Sequence, residues 1–544
     1  MFENIKKYLF LNLSEKNTKI LALFVAFIEI IILFILAFNW TNSHFDDLEH
    51  IHASFLVGQG KIPYRDFFEH HHPLLWFLFA PITKIFYNNA YIYYAAHIFS
   101  AISSIIAWFF VYKIVTEFLS NIKTWILSVI FVVFFAFYGR EHCVEFRPDI
   151  CMYATFWIGL YYYLLHLKTD KILYLSISFS FFMISILFLQ KIVILLFFLG
   201  LYTLYLLLKK QISIKNLLIA TIPALGILAI FISYLILTGS FEQYLLLNFE
   251  LNSIMGRHYG LTYLNLTFHN IPIFIPFHNG YGTVQFYWIY VILSYLTICI
   301  IPLLFKKTLS DKEKIYRQII SLMFLAELGA RFFTFSPAAY YFNIFPILSA
   351  IIILTVFIDH KNNIKNYFSS LLVIIYLLCS TNYIVDKINI KIPNKFVEKL
   401  QYIIDNSENN DIVMNGLGDN VNIFNKDADY IWFGINYTGY IYNVYYNDNR
   451  YNINEIIKTK KPRFIETKKV ILEQYRIRQK ELKKYNFDAL KLYNIKKDPN
   501  LSINDIIVNV PEIQPNSIDM EYIKKYYEPT PYENLWMRKD NISE

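Results

Sequence analysis

Apolar runs of about twenty residues recur along this chain, and no other feature limits its fold as much, because that is the length a helix needs to cross the hydrocarbon core of a bilayer. Runs that long, alone or with interfacial ends, lie near 20–40, 91–117, 122–139, 149–167, 172–189, 191–208, 216–238, 284–305, 318–335, 340–358 and 365–384. They predict a polytopic α-helical membrane protein of about eleven transmembrane helices. Composition agrees: 544 residues that are 56% hydrophobic and 19% aromatic do not make an ordinary soluble domain. The formal charge of +8 sits largely in short lysine clusters between apolar runs, the pattern of topology signals, so no nucleic-acid partner is expected. Cys143, Cys151, Cys299 and Cys379 fall in or beside those runs and form no zinc or disulfide pattern. The first run lacks a small-residue cleavage site and reads as a retained anchor.

Positive charge orients the chain. An N-terminus in the cytosol puts Lys6, Lys7, Lys16, Lys19, Lys168, Lys171, Lys209, Lys210, Lys215, Lys306, Lys307, Lys312, Lys314, Arg317 and Lys361 inside. The opposite side before residue 385 receives only Lys61, Arg65, Lys84, Arg140, Arg147, Lys191, Arg257 and Arg331, in longer loops. An odd number of spans then places the tail outside. Two domains follow: 1–385 in the membrane, and 386–544 as a soluble periplasmic α/β domain. Within the tail, "DIVMN" (Asp411–Asn415) and "PRFIET" (Pro462–Thr467) look like strands, while "KFVEKLQYIID" and "ILEQYRIRQKELKKY" look helical. "NGLGDN" (Asn415–Asn420) lacks the spacing of a phosphate-binding loop.

The residues able to do chemistry collect on the outer side. The loop "FDDLEHIHASFLVGQGKIPYRDFFEHHHPLL" (Phe45–Leu75) crowds Asp46, Asp47, Glu49, Asp66, Glu69 and five histidines beside the first span. The apolar stretch that follows, to Phe86, is too short to cross and suits a helix lying in the interface. Outward arginines run against the charge rule, and a planar guanidinium that binds phosphate or carboxylate at two points is one reason for them. "REHCVEFRPD" (Arg140–Asp149) reads either as a solvated ion-pair cluster or as a cation aimed at the interface by Pro148 at a helix start. Lys191 in "LQKIV" and Arg331 in "GARFFTF" are read either as interfacial snorkelling groups or as binding cations, and Arg257 in "MGRHYG", also a candidate binding cation, lies in a long outer loop, the place for a mobile lid. Glu29 and His97, inside spans, are ionisable groups of the kind that membranes tolerate only for a reason.

The loop Asp46–Leu75 resembles the first outer loop of lipid-phosphate-dependent glycosyltransferases of the GT-C superfamily, which includes protein O-mannosyltransferases and the lipid A aminoarabinose transferase. Asp46-Asp47, Ala53-Ser54, Gly60, Pro63-Tyr64-Arg65-Asp66-Phe67 and Glu69-His70-His71-His72-Pro73-Leu74 stand where that family has an Asp-Glu pair, small residues, a Gly, a Pro-Tyr-x-Asp-Phe-like step and an acid before Pro-Pro-Leu. "RPD" (Arg147–Asp149), Gln190-Lys191 and "YYFNIFP" (Tyr340–Pro346) are similar to later landmarks, and the likeness covers roughly residues 20–360. Two residues depart from the pattern: Asp47 stands for Glu, and His72 for one Pro.

The resemblance implies a sugar carried on polyprenyl phosphate and a glycan, lipid or protein acceptor at the outer face of a bacterial cytoplasmic membrane, with membrane lipid around it. Asp46 and Glu69 would be catalytic, with Asp46 the base; Asp47 and Glu49 are its rivals for that role. Asp47, Asp66, His72, Arg147, Asp149, Lys191, Arg257 and Arg331 would bind substrate, the cations meeting the departing phosphate. No cofactor is required. His70–His72 and the acids include ligand types for a divalent metal, but consecutive residues seldom face one centre, and no metal ligands are assigned. Two other readings stay open: a polymerase or ligase that takes an oligosaccharide from a lipid diphosphate to lipopolysaccharide or protein, and a transporter or flippase, for which the outer placement of charge and the lack of a repeat speak less well.

Overall fold

Seven of the apolar runs fall on helices in the computed structural model, which describes residues 15–39, 45–118, 143–252, 310–333, 393–408, 410–415, 420–432, 453–467 and 518–540. These are α1 (Glu15–Asn39), α4 (Ile92–Phe118), α5 (Pro148–Thr169), α6 (Ile172–Phe188), α7 (Val193–Leu208), α8 (Ile214–Leu237) and α10 (Asp311–Phe333). The first loop contributes α2 (Phe45–Gly58) and α3 (Leu74–Ile85), and a short α9 (Phe241–Leu245) runs into a π-helical turn at Leu246–Leu251. The runs at 122–139, 284–305, 340–358 and 365–384 lie outside the described residues. Among the described residues, four segments have the length and apolar character to span a bilayer: Ile92–Ile114, Pro148–Thr169, Gln190–Leu208 and Ile214–Leu237. In the last two only 22% and 17% of the apolar window is buried within the protein. Side chains such as Leu208, Leu218, Ile222 and Ile230 are left facing outward. Water would not tolerate so much continuous apolar surface, and a lipid bilayer covers it. The protein is membrane-embedded.

Two compact units make up the chain. The first comprises Met1–Trp40, His97–Ser233 and Ile271–Ile392. In it α5 packs along α6, and α10 against α7. Pro148 opens α5 at a position where a helix has no use for an N–H, and Asp170 ends it in the left-handed region at φ 59°. Mid-helix, Gly159 lets α6 come close: a Cβ there would stand 2.6 Å from the Phe182 ring and 3.2 Å from the Ser178 carbonyl. Gly159→Ala should therefore destabilise the α5–α6 pair by about 1–3 kcal/mol. The check is a fall in detergent melting temperature that Phe182→Leu in the same chain partly restores. Inside this unit Glu29 is wholly buried, and His97 Nδ1 lies 3.2 Å from the Ala37 carbonyl, which gives that intramembrane imidazole a structural partner.

The second unit comprises Thr41–Ala96, Tyr234–Asn270 and Pro393–Glu544, so the polar tail and the first loop belong to one body. Its tail holds α11 (Lys395–Asp405), α12 (Ile453–Lys460), α13 (Met520–Tyr526) and strands β1 (Val413–Met414), β2 (Phe464–Glu466), β3 (Tyr527–Pro529) and β4 (Leu535–Arg538). The sheet order is β1-β2-β4-β3, with β1 parallel to β2 and the other pairs antiparallel. Met414, Ile456, Ile457, Ile465, Ile518, Ile523 and Tyr527 form its core. Asn394 caps α11 by accepting from the N–H groups of Phe396 and Val397. "ILEQYRIRQKELKKY" lies outside the described residues.

Candidate functional site in the first loop

Helix α2 carries Asp46 and Asp47 in its first turn and Glu49 shortly after, so Asp46 and Glu49, three apart, share a face. Asp46 is half-buried, whereas Asp47, Glu49, His50 and His52 are buried. The chain then leaves the helix through a tight turn. Gly60 sits at φ 80°, and Tyr64, wholly packed, is held at φ 69°, a conformation unusual for a side-chain-bearing residue. Asp66 closes this turn: its carboxylate accepts from the Ile62 N–H at 2.8 Å and pairs with Arg65 at 2.8 Å. The Arg65 hydrogen bond, its largest influence, holds the Asp66 carboxyl below the usual range. Asp66 is thus engaged in the turn.

The turn returns Glu69–His72 to α2, next to α3. Glu69 is fully buried and faces Glu49, and His71 lies between them, with Nδ1 3.3 Å from Glu49 Oε1 and 3.4 Å from Glu69 Oε2. Burial, above all, pushes the Glu49 carboxyl up to about 7, and burial with the adjacent Glu49 raises Glu69 well above the normal carboxyl range. Two buried carboxyls side by side each disfavour the other's negative charge. The imidazole backbone is pinned from two directions: the Tyr64 hydroxyl donates to the His71 carbonyl at 2.6 Å, and the Asn252 amide donates to the His70 carbonyl at 2.8 Å. Trp76 of α3 donates its indole N–H to His50 Nδ1 at 3.2 Å. His72 points elsewhere, between Tyr244 and Phe249, and burial lowers it to about 3, which keeps it neutral.

The tail closes over the other side of α2. His52 Nδ1 lies 2.8 Å from the Ile423 carbonyl and its Nε2 3.0 Å from the Asp427 carboxylate, while Trp432 packs on the ring at 4.6 Å. The Tyr430 hydroxyl donates to the Tyr64 carbonyl at 2.5 Å, and the Phe68 N–H to the Tyr430 carbonyl at 3.0 Å. Segment 420–432 therefore braces the turn that positions Glu69.

Arg147, Asp149 and Lys191 meet in the first unit. Arg147 Nε lies 3.3 Å from Asp149 Oδ2 and Lys191 Nζ 2.9 Å from Asp149 Oδ1. Arg147 and Asp149 are buried, as is the nearby Glu145, so the solvated ion-pair cluster allowed by the sequence is instead an interior one. Arg140 and Arg257 lie outside the described residues. Arg331 falls within α10, but its side chain is outside them too.

Sequence reasoning assigned no roles to His71, Asn252, His52, Asp427 and Tyr430. His71 belongs to the histidine run that offers metal-ligand types; no local signal marks the pairings of Asn252, His52, Asp427 and Tyr430, whose partners lie far along the chain.

No family model and no curated protein matches the chain. Among solved structures it is similar to ArnT from Cupriavidus metallidurans bound to undecaprenyl phosphate, at 11% identity and a TM-score of 0.42, over 70% of this chain and 68% of that one.

Proposed function

We propose that the chain is an inverting glycosyltransferase that moves a monosaccharide from a polyprenyl-phosphate carrier to a glycan, lipid or protein acceptor at the outer face of a bacterial cytoplasmic membrane. One observation carries it: of the three acids on the first turns of α2, Asp46 alone is partly exposed, while Asp47 and Glu49 are buried. A base must come within hydrogen-bond reach of the hydroxyl it deprotonates, which favours Asp46 over its two neighbours. The acceptor oxygen then bonds to the anomeric carbon, the bond from that carbon to the phosphate oxygen breaks, and the hydroxyl proton passes to Asp46. Polyprenyl phosphate leaves as an anion and needs no acid to protonate it. Glu69, fully buried and fixed beside Glu49, is a positioning group for the acceptor side, and neutral His72 with Tyr244 and Phe249 offers an uncharged wall. For the departing charge the sequence offers Arg147, Lys191, Arg257 and Arg331; Arg147 and Lys191 are held together on Asp149.

The full chain, reconstituted in proteoliposomes with radiolabelled polyprenyl-phosphate sugars and a cell-envelope extract as acceptor, should release polyprenyl phosphate and label the extract with inverted anomeric configuration. Turnover only with lipid-diphosphate oligosaccharides would replace this reading with the polymerase or ligase one.

A further inference from the structure

We infer that Glu49, Glu69, His70 and His71 form a binding site for a divalent transition-metal cation of the zinc type. One donor atom from each of the four lies within 4.8 Å of all the others. Ligands about 2.0–2.2 Å from a tetrahedral zinc stand about 3.4 Å from one another. The separations from His71 Nδ1 to Glu49 Oε1 and Glu69 Oε2, 3.3 and 3.4 Å, already match two edges of such a tetrahedron.

Three further features favour an ion over a chance cluster. Apart from the neighbouring Glu49 carboxyl, Oε1 of the fully buried Glu69 meets no N–H or O–H donor, although a buried carboxylate oxygen normally does. Two carboxylates and two neutral imidazoles around a dication sum to zero charge, the arrangement that a buried site tolerates best. Finally, the bonds from Tyr64 and Asn252 fix the backbone at both imidazoles, whose ring centroids lie 4.1 Å apart, so that consecutive histidines do converge here. The mixed nitrogen and oxygen set suits zinc, cobalt, iron or manganese better than magnesium or calcium, which prefer oxygen alone. A bound ion would tie the Glu69–His71 segment to α2.

The inference does not depend on the transferase reading, because its readout is binding. Full-length protein made without a polyhistidine tag, purified in detergent and stripped with a chelator, would be titrated with zinc and with cobalt. We expect one ion per chain, a cobalt visible spectrum of tetrahedral type, and a melting temperature that rises with zinc and falls back on adding chelator. Glu49→Gln, an isosteric change, and His71→Ala should each weaken binding by at least about 100-fold. Less than about one tenth of an ion per chain at saturating zinc would overturn the site, as would equal binding by wild type and Glu49→Gln. The wild-type stoichiometry and cobalt spectrum decide the matter even if His71→Ala does not fold. Absence of transfer by the wild-type protein with zinc binding intact would count against the proposed function and leave the metal site standing.

Discussion

Asp46→Asn should abolish most transfer, lowering turnover of a polyprenyl-phosphate sugar by about 10²- to 10⁴-fold, while expression, membrane insertion and melting temperature stay at wild-type values. The size follows from what a positioned base supplies to a hydroxyl nucleophile. The specificity follows from exposure: Asp46 is half-buried in the first turn of α2, and an amide of the same shape disturbs little there. Asp47→Asn provides the contrast. Asp47 is wholly buried, so its replacement should be felt as lost stability, with activity per folded molecule largely kept. Unaltered turnover by Asp46→Asn in proteoliposomes would remove that residue from the mechanism, and a collapse in Asp47→Asn alone would move the base by one residue.

The parts of the fold that could be read from the sequence are those set by a single length scale. A span must cover the hydrocarbon core, so the expected runs at 149–167, 172–189 and 191–208 reappear as α5, α6 and α7 with ends shifted by a residue or two. α10 starts at Asp311, well before the expected 318, because "DKEKIYR" is helical without being apolar. In the tail, "DIVMN" and "PRFIET" yield β1 and β2, yet β3 and β4 escaped notice, since Pro529 within "YEP" reads as a break and is tolerated only because β3 is an edge strand. The crowding of acids and histidines in the first loop was likewise plain. What stayed hidden was direction. That Glu49 meets Glu69 depends on the positive φ values at Gly60 and Tyr64, which turn the chain back, and that His52 meets Asp427 depends on a tail 375 residues away. Neither leaves a periodic trace.

Asp149→Ala should be among the most damaging single changes in the membrane half, costing roughly 3–5 kcal/mol of stability. Asp149 sits in the first turn of α5, where a carboxylate also suits the helix dipole, and its two oxygens divide between Arg147 and Lys191. Arg147 is only 5% exposed, so removing the carboxylate takes an anionic partner from an interior guanidinium, and water cannot readily replace it. Asp149→Asn should lose less, because the amide oxygen can still accept one of the two hydrogen bonds. Lys191→Met should lose least: the Lys191 side chain is 23% exposed, and its removal leaves the Arg147–Asp149 pair intact. Melting temperatures in detergent should therefore fall in the order Lys191→Met, Asp149→Asn, Asp149→Ala, with the last the lowest. An Asp149→Ala protein that melts with the wild type would show that the two cations find other anions, and the carboxylate would then be free to serve substrate instead of structure.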